Sequence, residues 1–230
     1  MYRWNIALIR KAHVEFMRLN FKKTLTIFSA LCLALSLLII SGYAHSAPKT
    51  ILVLGDSLSA EYGLARGTGW VALLEKKLQD KKINARVVNA SISGETSSGG
   101  KTRLSALLKI HQPSIVIIEL GGNDALRGLD LNVSEQNFRD MLLMTKASKA
   151  NPLLVAMQIP PNYGKAYTEK FFSMYAKLAK ETQSALVPFF LKGVADKAEF
   201  FQPDRIHLTA EAHPIMLDNV WVPLQKLLRR

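Results

Sequence analysis

The chain has 230 residues, of which 49% are apolar, with 30 basic and 18 acidic side chains and a formal net charge of +12. That is enough for one large α/β domain or two small ones, and the apolar content excludes a disordered chain. Beyond the first 47 residues the basic side chains are scattered among acids along helical stretches (Lys76, Lys77, Lys81, Lys82, Lys177, Lys180) and are not interleaved with aromatics, which argues against a nucleic-acid partner.

The first 47 residues differ from the rest. Arg3, Arg10, Lys11, Arg18, Lys22 and Lys23 are opposed only by Glu15, and Leu25 to Ile40 carries no charge. Small residues follow in SGYAHSA. A basic start, an apolar middle and a small-residue exit predict a secretory signal over residues 1–47. Cleavage after Ala44 puts Gly42 and Ala44 at the two small positions, whereas cleavage after Ala47 puts His45 at one of them. Met17, just ahead of RLNFKKTL, offers a later start, with residues 1–16 as an upstream extension. The alternative is an uncleaved membrane anchor, although the stretch Leu25 to Ile40, at 16 residues, is shorter than the ~20 that span a bilayer comfortably and is marginal when extended to Ala44. A periplasmic or secreted protein is expected. The single cysteine, Cys32, lies inside this segment, so the remainder has no thiol from which to build a disulfide. That remainder keeps 24 basic against 17 acidic residues, or +7, which is compatible with weak contact with an anionic membrane surface.

From Pro48 onward there is no repeat, low-complexity stretch or linker, so residues 48–230 read as one domain. TILVLG is a short apolar run ending in Gly, the pattern of a buried strand. TGWVALLEKKLQDKK spaces Trp70, Leu73, Leu74 and Leu78 at helical intervals. ARVVNAS is a second strand, and TSSGGKTRLSALLKIHQP a helix stopped by Pro113. SIVIIELGGND is a third strand, β-branched as in strands buried on both faces. SEQNFRDMLLMTKASKAN is a helix with Ser134 as its expected cap. PLLVAMQIP is a fourth strand, AYTEKFFSMYAKLAKET a helix, and ALVPFF a fifth strand. TAEAHPIMLDNVWVPLQKLL closes the chain as a helix, with irregularity expected near Pro214 and Pro223. Strand–helix alternation without hairpin signals predicts a parallel sheet covered on both faces. Ligands of such sheets sit at the carboxyl ends of the strands. That rule selects Ser57 after strand one, Gly94 after strand two, Asn123 and Asp124 after strand three, and PPNYG after strand four.

Ser57 is either a helix cap or a nucleophile, and a nucleophilic serine needs a base. Among the histidines after Pro48, His111 ends a helix, and His213 has only Glu211 as a carboxylate nearby in sequence. His207 lies in QPDRIHLT, three residues after Asp204. In a turn these positions share a side, so the carboxylate can hold one ring nitrogen and leave the other free for a proton. Donors for a developing oxyanion are available at the Ser57 and Gly94 backbone amides and the Asn123 side chain. Each element also has a bland reading, as a cap, a turn or a loop ion pair.

The order Ser, Gly, Asn, Asp-x-x-His resembles the four blocks of the GDSL, or SGNH, hydrolase family. GDSLS, the Gly94 of NASISGET, GGND and DRIH carry the resemblance, which covers residues 50 to about 228. ILVLGDSLSA, VVNASISGET, ELGGNDALRG and MQIPPNYG are similar to its bacterial thioesterase I / arylesterase / lysophospholipase branch. The resemblance implies a flavodoxin-like, three-layer α/β/α fold with a doubly wound parallel sheet of about five strands. It implies an esterase without metal or organic cofactor, with broad activity on small-molecule acyl esters and thioesters: acyl-CoA thioesters, lysophospholipids and short-chain or aryl esters. Carried over, Ser57 is the nucleophile, Asp204 and His207 complete the triad, and Ser57, Gly94 and Asn123 form the oxyanion hole. Glu61-Tyr62, Leu208 and the AHP of Ala212 to Pro214 depart from the branch.

Ile159, Pro160, Pro161 and Tyr163, with Phe172, are candidates for an apolar acyl groove, against the alternative that the aromatics of the following helix are core. A monomer is expected. Two other readings stay open: a carbohydrate O-acetylesterase with the same triad, and a non-catalytic lipid-binding protein.

Overall fold

The structure, a computed structural model, describes the backbone of residues 4–41 and 47–229. It divides into two compact units, Met1–Ala47 and Pro48–Arg230. Among its described residues the first holds the helix α1 (Trp4–Ser41). The cleavage point after Ala44 lies outside the described residues.

The second unit is built on five strands: β1 (Lys49–Gly55), β2 (Ala85–Asn89), β3 (Ile115–Glu119), β4 (Asn151–Val155) and β5 (Ala185–Val187). All pair in parallel in the order β2-β1-β3-β4-β5. Ile51 to Leu54 and Val116 to Ile118 are fully buried. Such unbroken apolar runs fit strands covered on both faces.

The helices are α2 (Trp70–Asp80), α3 (Ser97–His111), α4 (Gly122–Leu126), α5 (Leu131–Ala147), α6 (Lys165–Glu181) and α7 (His213–Leu228). α2 packs with α7, while α5 packs with α3 and α6. Right-handed crossovers that run in opposite directions from β1 put their helices on opposite faces, which gives the three layers. Trp70, Leu74 and Leu78 of α2, Phe138, Met141 and Leu142 of α5, and Met216, Val220 and Leu224 of α7 bury one stripe each.

The chain leaves β1 towards β2 and then returns to place β3 on β1's other side. The strand order therefore reverses between β1 and β3, where an open parallel sheet forms its crevice. Ser57 follows β1 and Asn123 follows β3.

Three local expectations are corrected. α5 starts at Leu131, capped by Asp130, whose carboxylate accepts the Asn132 N–H at 2.8 Å. Ser134 is instead buried and donates to Asp124 Oδ1 at 2.8 Å. The third strand ends at Glu119, and Gly122 to Asp124 open the short helix α4 instead of continuing the strand. The last segment is irregular just before Pro214, as a 3-10 turn over Ala210–Ala212, but the helix that starts at His213 runs through Pro223.

Candidate active site

The nucleophile candidate is set by a tight turn. Leu58 N–H donates to Asp56 Oδ1 at 3.0 Å, and Ser59 and Ala60 N–H close on the Asp56 carbonyl. This holds the chain after β1 in successive turns, and regular helix resumes only at Trp70. Ser57 therefore caps no helix directly and stays partly exposed.

His207 Nε2 lies 2.9 Å from Ser57 Oγ, and His207 Nδ1 lies 2.6 Å from Asp204 Oδ2. Asp204 Oδ1 accepts the backbone N–H groups of Ile206 (2.9 Å) and His207 (3.0 Å). Arg205, between them, adopts a left-handed φ of 58°, a conformation that costs a non-glycine residue about 1–2 kcal/mol. The His207 side chain holds the Asp204 carboxyl at a pKa of about 2, helped by the backbone donors. The Tyr62 ring stacks on His207, with centroids 4.2 Å apart. The loop is closed by an antiparallel bridge between Phe201 and Leu208 and by Gln202 N–H on the His207 carbonyl at 2.8 Å.

The oxyanion candidates are bound to each other. Arg127 Nη2 donates to the Gly94 carbonyl at 2.9 Å and to Asn123 Oδ1 at 3.4 Å. Gly94 has a φ of +80°, which glycine adopts without strain, and a Cβ there would sit 3.4 Å from Arg127 Nη2. Asn123 Nδ2 gives one hydrogen to Asp56 Oδ2 at 3.1 Å and keeps a second. Buried Asp124 accepts from Ser97 N–H (2.8 Å), Ser97 Oγ (2.5 Å) and Ser134 Oγ, so the start of α3 is fastened to α4.

Behind this row lie two buried acids. Ser59 Oγ donates to Glu119 Oε2 at 2.6 Å, and Trp70 Nε1 donates to Ser59 Oγ at 3.1 Å. Burial pushes the Asp56 and Glu119 carboxyls up, and their mutual repulsion raises Glu119 further. Glu119 Oε1 is buried without a protein partner. Burial of a carboxyl without a cationic partner favours the protonated acid.

Of the groove candidates, Ile159 packs against the core and Pro160 and Pro161 are exposed. Tyr163 is 40% exposed, and its hydroxyl donates to the Leu126 carbonyl of α4 at 3.4 Å. The segment after β4 thus reaches the short helix that carries Asn123. Phe171 and Tyr175 are core, whereas Phe172 is partly exposed and meets Phe189 edge-on. A cavity of about 320 Å³ beside Lys49, Ser114 and Asn151 and one of about 640 Å³ beside Lys146, Asn151 and Ser184 lie at the amino ends of the strands, away from Ser57.

A serine hydroxyl, an imidazole and a carboxylate in one hydrogen-bonded line, on a parallel three-layer sheet, define a serine hydrolase. The chain matches the GDSL-like Lipase/Acylhydrolase family over residues 53–215. It is 49% identical over 197 residues to Esterase TesA of Pseudomonas aeruginosa, covering 86% of this chain and 96% of that protein. It is 46% identical over 190 residues to the thioesterase 1/protease 1/lysophospholipase L1 of Escherichia coli K12, covering 83% and 90%. The crystal structure of the psychrotrophic esterase EstA from Pseudoalteromonas sp. aligns with a TM-score of 0.75 at 39% identity, covering 79% of this chain and all of that one. This chain belongs to the GDSL lipase/acylhydrolase family and is a serine ester hydrolase.

The sequence reading missed Arg127, the Asp56–Glu119 pair and the surroundings of His213. Glu119 had a signal: it is the one charge in an otherwise apolar strand. His213 had none, because its acidic neighbour in space is Glu61 and not Glu211.

Proposed function

We propose that the enzyme hydrolyses acyl esters and thioesters through a covalent acyl-serine. The observation that carries this reading is the His207 ring, 2.9 Å from Ser57 Oγ and 2.6 Å from Asp204. His207 Nε2 takes the hydroxyl proton as Ser57 Oγ attacks the acyl carbonyl. Asp204 holds the Nδ1–H and balances the imidazolium that forms. The charge on the carbonyl oxygen falls to the Ser57 and Gly94 amides and to the free hydrogen of Asn123 Nδ2. The tetrahedral adduct collapses, His207 protonates the departing oxygen or sulfur, and water repeats the sequence to release the acid.

Ile159, Pro160, Pro161 and Tyr163 are the groove for the acyl chain in this reading. Tyr163 supports it by bridging to α4 while leaving part of its ring exposed. Export to the periplasm is supported by the basic, apolar and small-residue sections of residues 1–47. N-terminal sequencing of the exported protein would reveal the cleavage point. Ser57→Ala should lower kcat on p-nitrophenyl butyrate by about 10⁴-fold or more with an unchanged circular dichroism spectrum. Near-normal turnover in that variant removes the assignment. An acetyl-to-palmitoyl series, as oxygen esters and CoA thioesters, fixes chain length and separates a lipid-type enzyme from an acetylesterase.

A further inference from the structure

His213 lies outside the Ser57–His207–Asp204 line, yet it is buried. Its Nδ1 accepts the Trp70 backbone N–H at 3.0 Å across 143 residues of sequence. Trp70 is the first residue of α2, where an amide has no partner within the helix, and Gly69 supplies no side-chain cap. A histidine on α7 therefore caps α2. Accepting at Nδ1 requires a ring unprotonated there, with its hydrogen on Nε2. The Leu208 backbone, next to His207, lies close enough to the ring to favour its protonated form.

Both contacts lead towards the site. Trp70 reaches Ser59, two residues past Ser57, through its indole N–H, and its ring meets Phe190 edge-on at 5.6 Å. The Leu208 carbonyl is itself held by Gln202, whose Nε2 donates to it (2.9 Å) and to the Tyr62 carbonyl (3.0 Å).

We propose that neutral His213 is a positioning residue that sets the Ser57 turn against the His207 loop by holding the Trp70 amide and the Leu208 backbone together. The proposal rests on the reading of Ser57, His207 and Asp204 as the triad. The charged group that acts on the ring is Glu61, from the loop after β1, whose carboxylate accepts the Gly67 and Gly69 N–H groups at 3.0 and 2.8 Å. Glu211, on the turn before α7, is exposed. Further along α2 and α7, Lys77 and Asp218 pair with each other at 2.7 Å. Burial keeps the ring neutral down to about pH 4, while Glu61 and the Leu208 backbone pull the other way. A proton on Nδ1 would leave two N–H groups facing each other.

The test uses the full chain with p-nitrophenyl butyrate at pH 7.5. His213→Leu should lower kcat about tenfold, as a small misplacement of reacting groups does, with KM within about twofold. His213→Gln, whose amide can both accept from Trp70 and donate to Leu208, should recover most of the loss. The His207 Nδ1 proton resonance should broaden in the Leu variant and return in the Gln variant. A folded Leu variant with wild-type kcat, or a folded Gln variant as impaired as Leu, overturns the proposal. Ser57→Ala, assayed alongside, reports separately on the triad reading. Where the Leu variant fails to fold, the wild type carries the test: the amide resonances of Trp70 and of Thr209, which shares a peptide unit with the Leu208 carbonyl, should titrate together with the His213 ring. A Trp70 amide that titrates while Thr209 stays still overturns the proposal as well.

Discussion

Asn123 donates to Asp56 Oδ2 at 3.1 Å, so the amide that follows β3 is anchored by the carboxylate just before Ser57. Asn123→Ala should lower kcat by about 10²–10³ with little change in KM, since an oxyanion donor acts in the transition state. Asp56→Ala should cost less, about 10–10², because it loosens the donor without removing it. The double variant should match Asn123→Ala alone rather than the product of the two. Multiplicative losses would show that Asp56 acts independently of Asn123.

Glu119 tests the electrostatics behind the site. Its pKa is raised by burial and by Asp56, so the folded state holds a proton that the unfolded chain gives up at the ordinary carboxylate pKa. Stability contributed by that proton therefore falls as pH rises above the ordinary value. Glu119→Gln mimics the protonated acid and lacks this loss. Urea unfolding should find the variant within about 1 kcal/mol of wild type at pH 5 and relatively more stable at pH 8. A variant that loses ground towards pH 8 would mean that the native carboxyl is ionised.

His213 shifts the other way in sign. Its folded pKa is lowered from 6.5 to about 4, so between those values the unfolded state binds the proton and the folded state does not. Stability is then full above pH 6.5 and declines as pH falls towards 4. The whole shift is worth at most about 3 kcal/mol. His213→Gln should flatten that part of the profile, read as urea midpoints from pH 7.5 to 4. Parallel curves for variant and wild type would place the acid sensitivity elsewhere.

The strands were legible because a parallel sheet covered on both faces demands unbroken apolar runs, whereas their order in the sheet came only with the fold. Ile51 to Leu54 and Ile115 to Ile118 are such runs. The rule that ligands sit at the strands' carboxyl ends selects Ser57, Gly94 and Asn123, whereas Asp204 and His207 are selected as a carboxylate three residues from an imidazole. The structure brings Ser57, His207 and Asp204 into one hydrogen-bonded line and joins Gly94 to Asn123 through Arg127. Local signals failed where a partner distant in sequence decided the outcome. Ser134 looks like a cap, but Asp124 draws its hydroxyl inward and Asp130 caps the helix. GGND looks like a turn, yet it continues into α4, whose Asp124 binds Ser97 at the start of α3. His213 looks isolated because Trp70, Leu208 and Glu61 reach it only through the fold.

The central claim is that Ser57 is the hydroxyl that takes the acyl group, with His207 as its base. A fluorophosphonate probe reacted with the full chain, followed by peptide mass mapping, tests it most directly. A single adduct on Ser57 is predicted, absent from Ser57→Ala and strongly slowed in His207→Ala. An adduct on another residue, or labelling of Ser57 at an unchanged rate without the His207 ring, would contradict it.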